Sequence, residues 1–305
     1  MKRVFLHIGL PKTGTTTLQN FLFKFSEELK SEGILYSRNL GFRGKDRSLR
    51  TGHHSLAYDV LGIKGHGDGT YWSKLFEEIN NSNSDTIIIS AEAFWLCSEA
   101  EICKVAKYLE NYSVKIIVYL RNPLSFLISL YKQRIKKGHY YQSFRKFIDE
   151  FYTGYGYTLT KWASAFGKEN IKVCIYDKVK VNPGLEEDFL HLLSIDADRF
   201  PQYFLNKQKA NVSPPDKSVL LMRRLNKIRK VYVSHRAGSK VLSWVRANVQ
   251  KRTMAGRAIL TLSQPFIGGR LYKNDDVDYL RKRVSEDKTF LEAFVPIEDQ
   301  SYFNF

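Results

Sequence analysis

The segment that most constrains this chain lies near its amino terminus and reads HIGLPKTGTTTLQ, residues 7–19. It overlaps an apolar run, VFLHIG at 4–9, and leads into apolar side chains that recur at helical spacing from Thr15 onward. Gly9 and Gly14 have the G-x-x-x-x-G spacing of a phosphate-binding loop between a strand and a helix. Such a turn aims backbone N–H groups and a helix N-terminus at an anion. The segment therefore predicts an α/β protein that binds a phosphate group.

The loop differs from the version that binds nucleoside triphosphates. In that version a lysine follows the second glycine, and a Ser or Thr together with a strand-end aspartate holds Mg²⁺. Here Thr15 stands in the lysine's place, and the lysine occurs earlier, at Lys12. Neither TIIIS (86–90) nor VKIIVYL (114–120) ends in an aspartate. The pattern favours a metal-free reaction at a cofactor that carries a monophosphate.

Strand-like apolar runs alternate with helical patterns along most of the chain. The predicted strands are 4–9, 34–37, 86–90, 114–120 and 171–176, and helices are predicted at 15–29, 98–112, 158–166 and 185–193, after Pro123 and from Asp216. Residues 38–70 are rich in Gly, Arg and His and predict a long loop with little regular structure. The predicted fold class is α/β: a P-loop-like parallel sheet flanked by helices, with a basic helical C-terminal extension.

The charge of the chain is concentrated in one segment. Of the net charge of +17, residues 205–273 contribute +15, with sixteen Lys and Arg against one acid, Asp216. A segment of this kind indicates an anionic partner, which is a membrane surface, a charged glycan or nucleic acid; a solvated helical face is the alternative. We expect a core at 1–213 and a basic, mainly helical region at 214–305, packed on or beside it.

Three stretches resemble motifs of the sulfotransferases that use 3′-phosphoadenosine 5′-phosphosulfate (PAPS). PKTGTTTLQ resembles their 5′-phosphosulfate loop, and LRNPLSFLISLYKQ resembles the strand end and helix that grip the 3′-phosphate. TLTKWASAFGKENIKVCIYDKV is similar to a pattern of bacterial and carbohydrate sulfotransferases. The resemblance covers roughly residues 1–213. It implies a PAPS-binding core that transfers a sulfuryl group without a metal ion.

The resemblance also implies roles for individual residues. It makes Lys12 the contact to the bridging oxygen of PAPS, and it places Arg121 and Ser129 on the 3′-phosphate. The 5′-phosphate would be held by the loop residues Thr13, Gly14, Thr15, Thr16 and Thr17. Lys209 would add charge near the 3′-phosphate. A planar guanidinium at the carboxyl edge of a sheet suits a phosphate dianion, although an arginine there also fits a structural ion pair.

A hydroxyl or amine acceptor needs a general base, and the sequence offers two candidates. Glu92 follows the strand at 86–90, and carbohydrate sulfotransferases often use a glutamate; the same position also suits a helix N-terminal carboxylate. His53 or His54, in TGHHSLAYDVL, is the second candidate, because cytosolic family members use a histidine. Either histidine also fits a loop residue that touches the substrate or a cap, and the two regions can act together.

The expected acceptor is a glycan or glycolipid, since the resemblance is to carbohydrate-type members and the basic segment suits an anionic saccharide or lipid surface. The first strand begins near residue 3, the chain has no apolar run of about 18 residues, and three cysteines form no disulfide or zinc pattern. We therefore expect a cytoplasmic protein, with peripheral contact to an anionic inner membrane face.

Two other functions fit parts of the sequence. One is a Mg²⁺-dependent nucleotide kinase with a modified loop. The other is a nucleic-acid-binding protein that uses residues 205–273, but that segment has few interleaved aromatic residues and no known motif. Nucleic acid is therefore the less favoured partner.

Overall fold

The computed structural model describes residues 1–43, 49–63, 69–138, 140–201, 203, 215–231, 244–245, 247–249, 253–263 and 269–304. The chain forms two compact units. The first comprises Met1–Asn122, Thr153–Arg199 and Ser285–Phe305, and the second comprises Pro123–Tyr152 and Phe200–Val284. The expected domain boundary at residue 213 lies outside the described residues and stays a prediction.

A parallel sheet forms the centre of the first unit. The strands are β1 (Arg3–His7), β2 (Ile34–Leu35), β3 (Phe42–Arg43), β4 (Leu49–Arg50), β5 (Thr86–Ser90), β6 (Ser113–Leu120) and β7 (Ile171–Ile175). Five of them form a sheet in the order β2-β5-β1-β6-β7, in which every neighbouring pair is parallel. β3 and β4 form a separate antiparallel pair.

Helices connect these strands and continue after the last one. The α-helices are α1 (Thr15–Lys24), α2 (Ser26–Ser31), α3 (His54–Leu61), α4 (Thr70–Asn80), α5 (Glu99–Tyr108), α6 (Pro123–Lys136), α7 (Phe144–Phe151), α8 (Tyr155–Phe166), α9 (Tyr176–Val179), α10 (Leu185–Leu192), α11 (Asp216–Val231), α12 (Met254–Ser263) and α13 (Asn274–Glu292). Short 3₁₀ helices cover Glu92–Leu96, Lys168–Asn170, Ala197–Arg199 and Ile297–Phe303. The α/β prediction, a parallel sheet flanked by helices, is confirmed.

Two predictions about the helices differ from the structure. The single helix expected at 15–29 is divided at Phe25, whose backbone (φ −103°, ψ 25°) leaves the helical region between α1 and α2. The prediction of a long loop at 38–70 was wrong, because that range contains β3, β4 and α3. The apolar side chains of α3, among them Leu56 and Val60, are buried, so packing stabilises a helix that local composition did not predict.

The position of β1 determines where a ligand can bind. β1 lies between β5 and β6, and its side chains Val4 and Leu6 are completely buried. The chain leaves β1 toward β2 at one edge of the sheet and leaves β6 toward β7 at the other edge. Open α/β sheets bind ligands beyond the carboxyl ends of strands where connections diverge in this way. The carboxyl ends of β1 and β6 are therefore the expected ligand-binding edge.

The carboxyl-terminal residues of the chain support this edge from within the first unit. Asp287 on α13 is buried, and its carboxylate accepts the backbone N–H groups of Gly156 and Tyr157 at the start of α8, each at 2.8 Å. Burial raises the pKa of Asp287, and these backbone hydrogen bonds oppose that rise. The Tyr155 hydroxyl on α8 in turn donates to the Arg121 carbonyl at 3.0 Å, just beyond β6. Asp287 thus fixes a helix that contacts the ligand-binding edge.

The substitution Asp287→Asn should destabilise the protein by about 1–3 kcal/mol, because an amide offers one acceptor and places an N–H₂ group against a backbone donor. Asp278→Asn is the matched control, since that carboxylate is exposed and pairs with Arg281 on its own helix. Urea unfolding of both variants measures the difference. Equal unfolding midpoints would show that Asp287 does not cap α8.

Candidate functional site

The predicted phosphate loop lies between β1 and α1, and α1 begins at Thr15 as predicted. Its backbone enters the left-handed region at Gly9 (φ 35°), Lys12 (φ 71°) and Gly14 (φ 76°). The N–H of Thr17 donates to the Gly14 carbonyl at 2.8 Å and begins the helical hydrogen bonding. Backbone donors before that point have no acceptor inside a helix, and the first turn of α1 contains no acid. This end of α1 can therefore accept an anion.

The threonines of the loop fall into two groups. Thr13 and Thr15 are buried, and their hydroxyls donate to the Leu10 carbonyl at 2.6 Å and 3.5 Å. Thr16 and Thr17 are exposed. The structure thus gives the first pair a part in closing the loop and leaves the second pair accessible to a ligand.

The two glycines of the motif are close to other elements. A Cβ atom on Gly14 would lie 2.6 Å from Leu185 Cδ2 on α10 and 3.3 Å from the ring of Tyr176. A Cβ atom on Gly9 would lie 3.4 Å from Glu92 Cα. The loop is therefore packed closely on one side by α9 and α10, and Glu92 adjoins it on another side.

Arg121 lies directly beyond β6 and contacts this loop. Its Nη1 donates to the Lys12 carbonyl at 3.1 Å, and its guanidinium lies 5.6 Å from the centre of the Tyr176 ring. The Asp177 carboxylate lies 3.8 Å from Arg121 Nε and accepts the N–H of Asn122 at 2.8 Å. The structure therefore brings two residues that the sequence assigned to opposite ends of a nucleotide, Lys12 and Arg121, into contact.

The structure says less about the two remaining candidates for binding the 3′-phosphate, Ser129 and Lys209. Ser129 lies on α6 in the second unit and is half-buried. Lys209 lies outside the described residues. Their assignments stay predictions.

His53 is held by backbone groups on both sides of its ring. The N–H of Ser90 donates to Nδ1 at 3.4 Å, so Nε2 carries the proton and donates to the Ser37 carbonyl at 2.9 Å. The ring also stacks on Tyr36 at 4.3 Å between centroids. Burial lowers the pKa of His53 to about 4, so the ring is neutral at pH 7. With both nitrogens bonded to backbone, His53 is poorly placed to accept a substrate proton.

The other two base candidates belong to one cluster. The His54 ring stacks on Tyr58 at 6.0 Å, and α3, which carries both, packs on the 3₁₀ helix that begins with Glu92. Burial raises the pKa of Tyr58, the Glu92 carboxylate raises it further, and Arg50 lowers it. Burial and Arg50 lower the pKa of His54 to about 4, and its buried Nδ1 has no hydrogen-bond partner within the described part of the chain.

Sequence reasoning missed several residues at this edge. Asp177 follows β7 just as Arg121 follows β6, so the rule that carboxyl strand ends share one edge could have identified it. Tyr58 lies one helical turn after His54, a spacing that places both on one face of α3. Nothing in the sequence indicated the buried hydrogen bonds from Gln19 to Ser90, at 3.2 Å to both its carbonyl and its hydroxyl.

The described ranges hold neither a metal-binding cluster nor a membrane-spanning helix. They contain no group of three or more His, Cys, Asp and Glu side chains that could hold a metal ion. They also contain no helix that is both long and apolar enough to cross a membrane.

The substitution Gly14→Ala tests the close packing of the loop. Alanine pays about 1–2 kcal/mol for a left-handed backbone, and its Cβ must also displace Leu185, at about 1–3 kcal/mol more. Gly33→Ala is the matched control, because Gly33 has a similar φ of 73° and no atom within 4 Å of the added Cβ. Thermal unfolding should show a larger loss for Gly14→Ala. Equal losses would mean that α10 does not restrict the loop.

Comparisons with known proteins gave one uncharacterised relative, one distant solved structure and one matching family model. An uncharacterised protein of Archaeoglobus fulgidus is 37% identical over 141 residues, which cover 46% of this chain and 38% of that protein. A crystal structure of a sulfotransferase from Alicyclobacillus acidocaldarius aligns with a TM-score of 0.41 and 16% identity, over 78% of this chain and 99% of that one. The family model of the sulfotransferase domain matches residues 2–186, more than half of the chain. The resemblance found in the sequence is confirmed, and the chain belongs to the sulfotransferase domain family.

Proposed function

We propose that this protein moves a sulfuryl group from PAPS to a hydroxyl or amine of an acceptor, without a metal ion. Family membership supports sulfuryl transfer. The observation that carries the choice of PAPS is the contact between Arg121 Nη1 and the Lys12 carbonyl, at 3.1 Å. The contact supports this choice because the turn and the guanidinium that are proposed to bind the two phosphates lie at one edge of the sheet.

The donor groups of the loop fit the 5′ end of such a nucleotide. The backbone N–H groups of Gly14 and Thr15 lie at the N-terminus of α1, where the helix dipole favours an anion. The exposed hydroxyls of Thr16 and Thr17 add donors. Thr13 contributes by keeping the turn closed through its bond to the Leu10 carbonyl.

The 3′-phosphate is assigned to Arg121, with Ser129 and Lys209 as additional donors. Only about a fifth of the Arg121 side chain is exposed, and the Tyr176 ring and Asp177 carboxylate flank it. A guanidinium fixed in this way loses little side-chain entropy when it binds an anion.

PAPS supplies the sulfuryl group on an activated phosphosulfate. The acceptor oxygen or nitrogen forms a bond to sulfur while the bond from sulfur to the bridging phosphate oxygen breaks, and that oxygen keeps the electron pair. Lys12 is proposed to neutralise the charge that develops there. Its left-handed backbone (φ 71°) is uncommon for a lysine, and the bond from Arg121 to its carbonyl holds it.

Glu92 is the proposed general base, and it takes the proton that the acceptor loses. It adjoins Gly9 of the loop and is half-buried, so a substrate can reach it. His54 and Tyr58 lie in the same cluster and are proposed to orient the acceptor. A neutral His54 is also able to accept a proton, which makes it the second candidate.

A glycan or glycolipid is the proposed acceptor. The basic segment at 205–273 supports an anionic saccharide or the lipid surface that carries it, since each Lys or Arg near an anionic membrane contributes about 1 kcal/mol. The protein is accordingly proposed to act in the cytoplasm, with peripheral contact at the inner membrane face.

Incubation with ³⁵S-labelled PAPS and fractionated lipid, polysaccharide and small-molecule extracts tests this function. Label should enter the lipid or polysaccharide fraction without added metal and in the presence of a chelator. Transfer only to small soluble phenols would contradict the proposed acceptor. Absence of transfer to every fraction, with nucleotide binding also absent, would contradict sulfuryl transfer itself.

The substitution Lys12→Ala should lower kcat by about 10²-fold or more and change the affinity for adenosine 3′,5′-bisphosphate much less, because the ammonium acts on charge present only in the transition state. Alanine and lysine have a similar backbone penalty at φ 71°. The substitution should therefore leave the preference for this loop conformation unchanged. Lys30→Ala, an exposed lysine on α2, is the control. Equal losses in turnover and nucleotide binding would show that Lys12 only binds.

The substitution Arg121→Ala should remove the preference for adenosine 3′,5′-bisphosphate over AMP. The substitution also removes the hydrogen bond to the Lys12 carbonyl, and this should weaken the binding of both ligands through the loop. The ratio of their dissociation constants therefore reports the contribution of the 3′-phosphate. Asp177→Asn is the control, because it removes the ion pair and keeps the guanidinium. Calorimetric titration gives both constants. An unchanged ratio in Arg121→Ala would place the 3′-phosphate elsewhere.

A further inference from the structure

A basic cavity lies in the second unit, apart in the chain from every residue of the phosphate loop. Its volume is about 320 Å³, and it is lined by Tyr141, Gln142, Ser143, Arg223, Arg224 and Lys227. Three of these six side chains are cationic and none is acidic. The three cations lie on α11, within the basic segment at 205–273.

Buried hydrogen bonds fix the two walls of this cavity together. Arg223 Nη1 donates to the Tyr131 hydroxyl at 2.9 Å, and that hydroxyl donates to the Gln142 carbonyl at 2.6 Å. Asn226, one turn along α11 and buried, donates from Nδ2 to the carbonyls of Ile135 and Tyr140 at 2.9 Å and 2.8 Å. The register of α11 against residues 140–143 is therefore set before any ligand binds, and the cavity is preorganised.

The charge of the cavity favours an anion. Arg223 and Lys227 are four residues apart on one helix, a like-charge spacing that weakens an isolated helix. A bound anion relieves that repulsion. The N-terminus of α7 adds to the same field, because Ser143 caps it and its first turn has no acid.

The neutral side chains of the cavity indicate the kind of molecule to which the anionic group is attached. Tyr141 and Ser143 offer hydroxyls, and Gln142 offers an amide, all suited to hydrogen bonds with ligand hydroxyls. The Ser143 oxygen accepts the N–H of Lys146 at 3.3 Å, and its hydroxyl hydrogen can donate to a ligand oxygen. A concave site of this volume can admit an ester group, whereas a membrane surface requires a flat or convex basic face.

We propose that this cavity binds the sulfate or phosphate ester group of a sugar-like molecule, through Arg223, Arg224 and Lys227. This proposal rests on the proposed function in one respect: the cavity lies in the basic segment that is proposed to meet an anionic saccharide, and it names the residues that would bind the ester group. Two planar guanidinium groups and one ammonium line the cavity, and these are donor groups that a tetrahedral oxyanion can accept from.

The test uses the full chain and the double variant Arg224→Ala/Lys227→Ala. The matched control is Arg229→Ala/Lys230→Ala, which removes the same charge from exposed positions of the same helix that do not line the cavity. Calorimetric titration with glucose 6-sulfate, at a constant concentration of adenosine 3′,5′-bisphosphate, should give equal binding for the wild type and the control. The cavity variant should bind at least about tenfold more weakly, which is a loss of about 1.4 kcal/mol or more. If the alanine variant does not fold, Arg224→Gln/Lys227→Gln replaces it.

The other ligands distinguish the sources of the anion. Glucose 6-phosphate should bind like the sulfate ester, and glucose should not bind. Equal binding by the cavity variant and the control would overturn the proposal, and so would a wild type that does not bind glucose 6-sulfate. Binding to phosphatidic acid vesicles alone, with none to phosphatidylcholine vesicles or to the sugar esters, would identify a membrane surface and overturn it as well. The two variants lose the same charge and differ in whether that charge lines the cavity. The comparison of their sugar-ester binding therefore stays valid if the first unit does not bind the nucleotide.

Discussion

The backbone between β1 and α1 is the element on which the rest of the candidate site depends. It takes a left-handed conformation at Lys12 and Gly14, and distant parts of the first unit maintain it. Arg121 bonds to the Lys12 carbonyl from the end of β6, and Leu185 of α10 would have to shift to admit a side chain at Gly14. These contacts support the conformation in which the turn presents helix-terminal donors. The proposed anion site therefore depends on residues from several elements at the sheet edge.

At the same edge, His53 is held by backbone groups, and the candidate general bases Glu92 and His54 lie beside it. His53 is fixed between the carbonyl of Ser37 and the N–H of Ser90, so it ties α3 to the end of β5. Glu92 and His54 lie next to these anchors, and burial and Arg50 lower the pKa of His54 to about 4. The proposed proton transfer would use these groups on a fixed backbone, because a general base must be positioned by its surroundings.

The sequence predicted the sheet well and the loops poorly, for physical reasons. β5 was predicted at its observed bounds because a parallel strand buried on both faces reads as a continuous apolar run. α3 was missed because its stability comes from packing against distant residues such as Trp72, whose indole N–H donates to the Leu56 carbonyl at 3.1 Å. His53 looked like a base because no local pattern shows that both its nitrogens are bonded to backbone. The contact from Arg121 to Lys12 joins residues 109 positions apart and could not be read locally.

Equilibrium binding of adenosine 3′,5′-bisphosphate, compared with ATP in the presence of Mg²⁺, tests the central claim most directly. The claim is that the loop with Thr15 in place of the usual lysine, together with Arg121, accepts a nucleotide with separate 5′- and 3′-phosphates and needs no metal ion. The account predicts tight binding of the bisphosphate, unchanged by a chelator, and at least tenfold weaker binding of ATP with Mg²⁺, a difference of about 1.4 kcal/mol or more. Preferential, Mg²⁺-dependent binding of ATP would contradict it and favour a kinase with a modified loop.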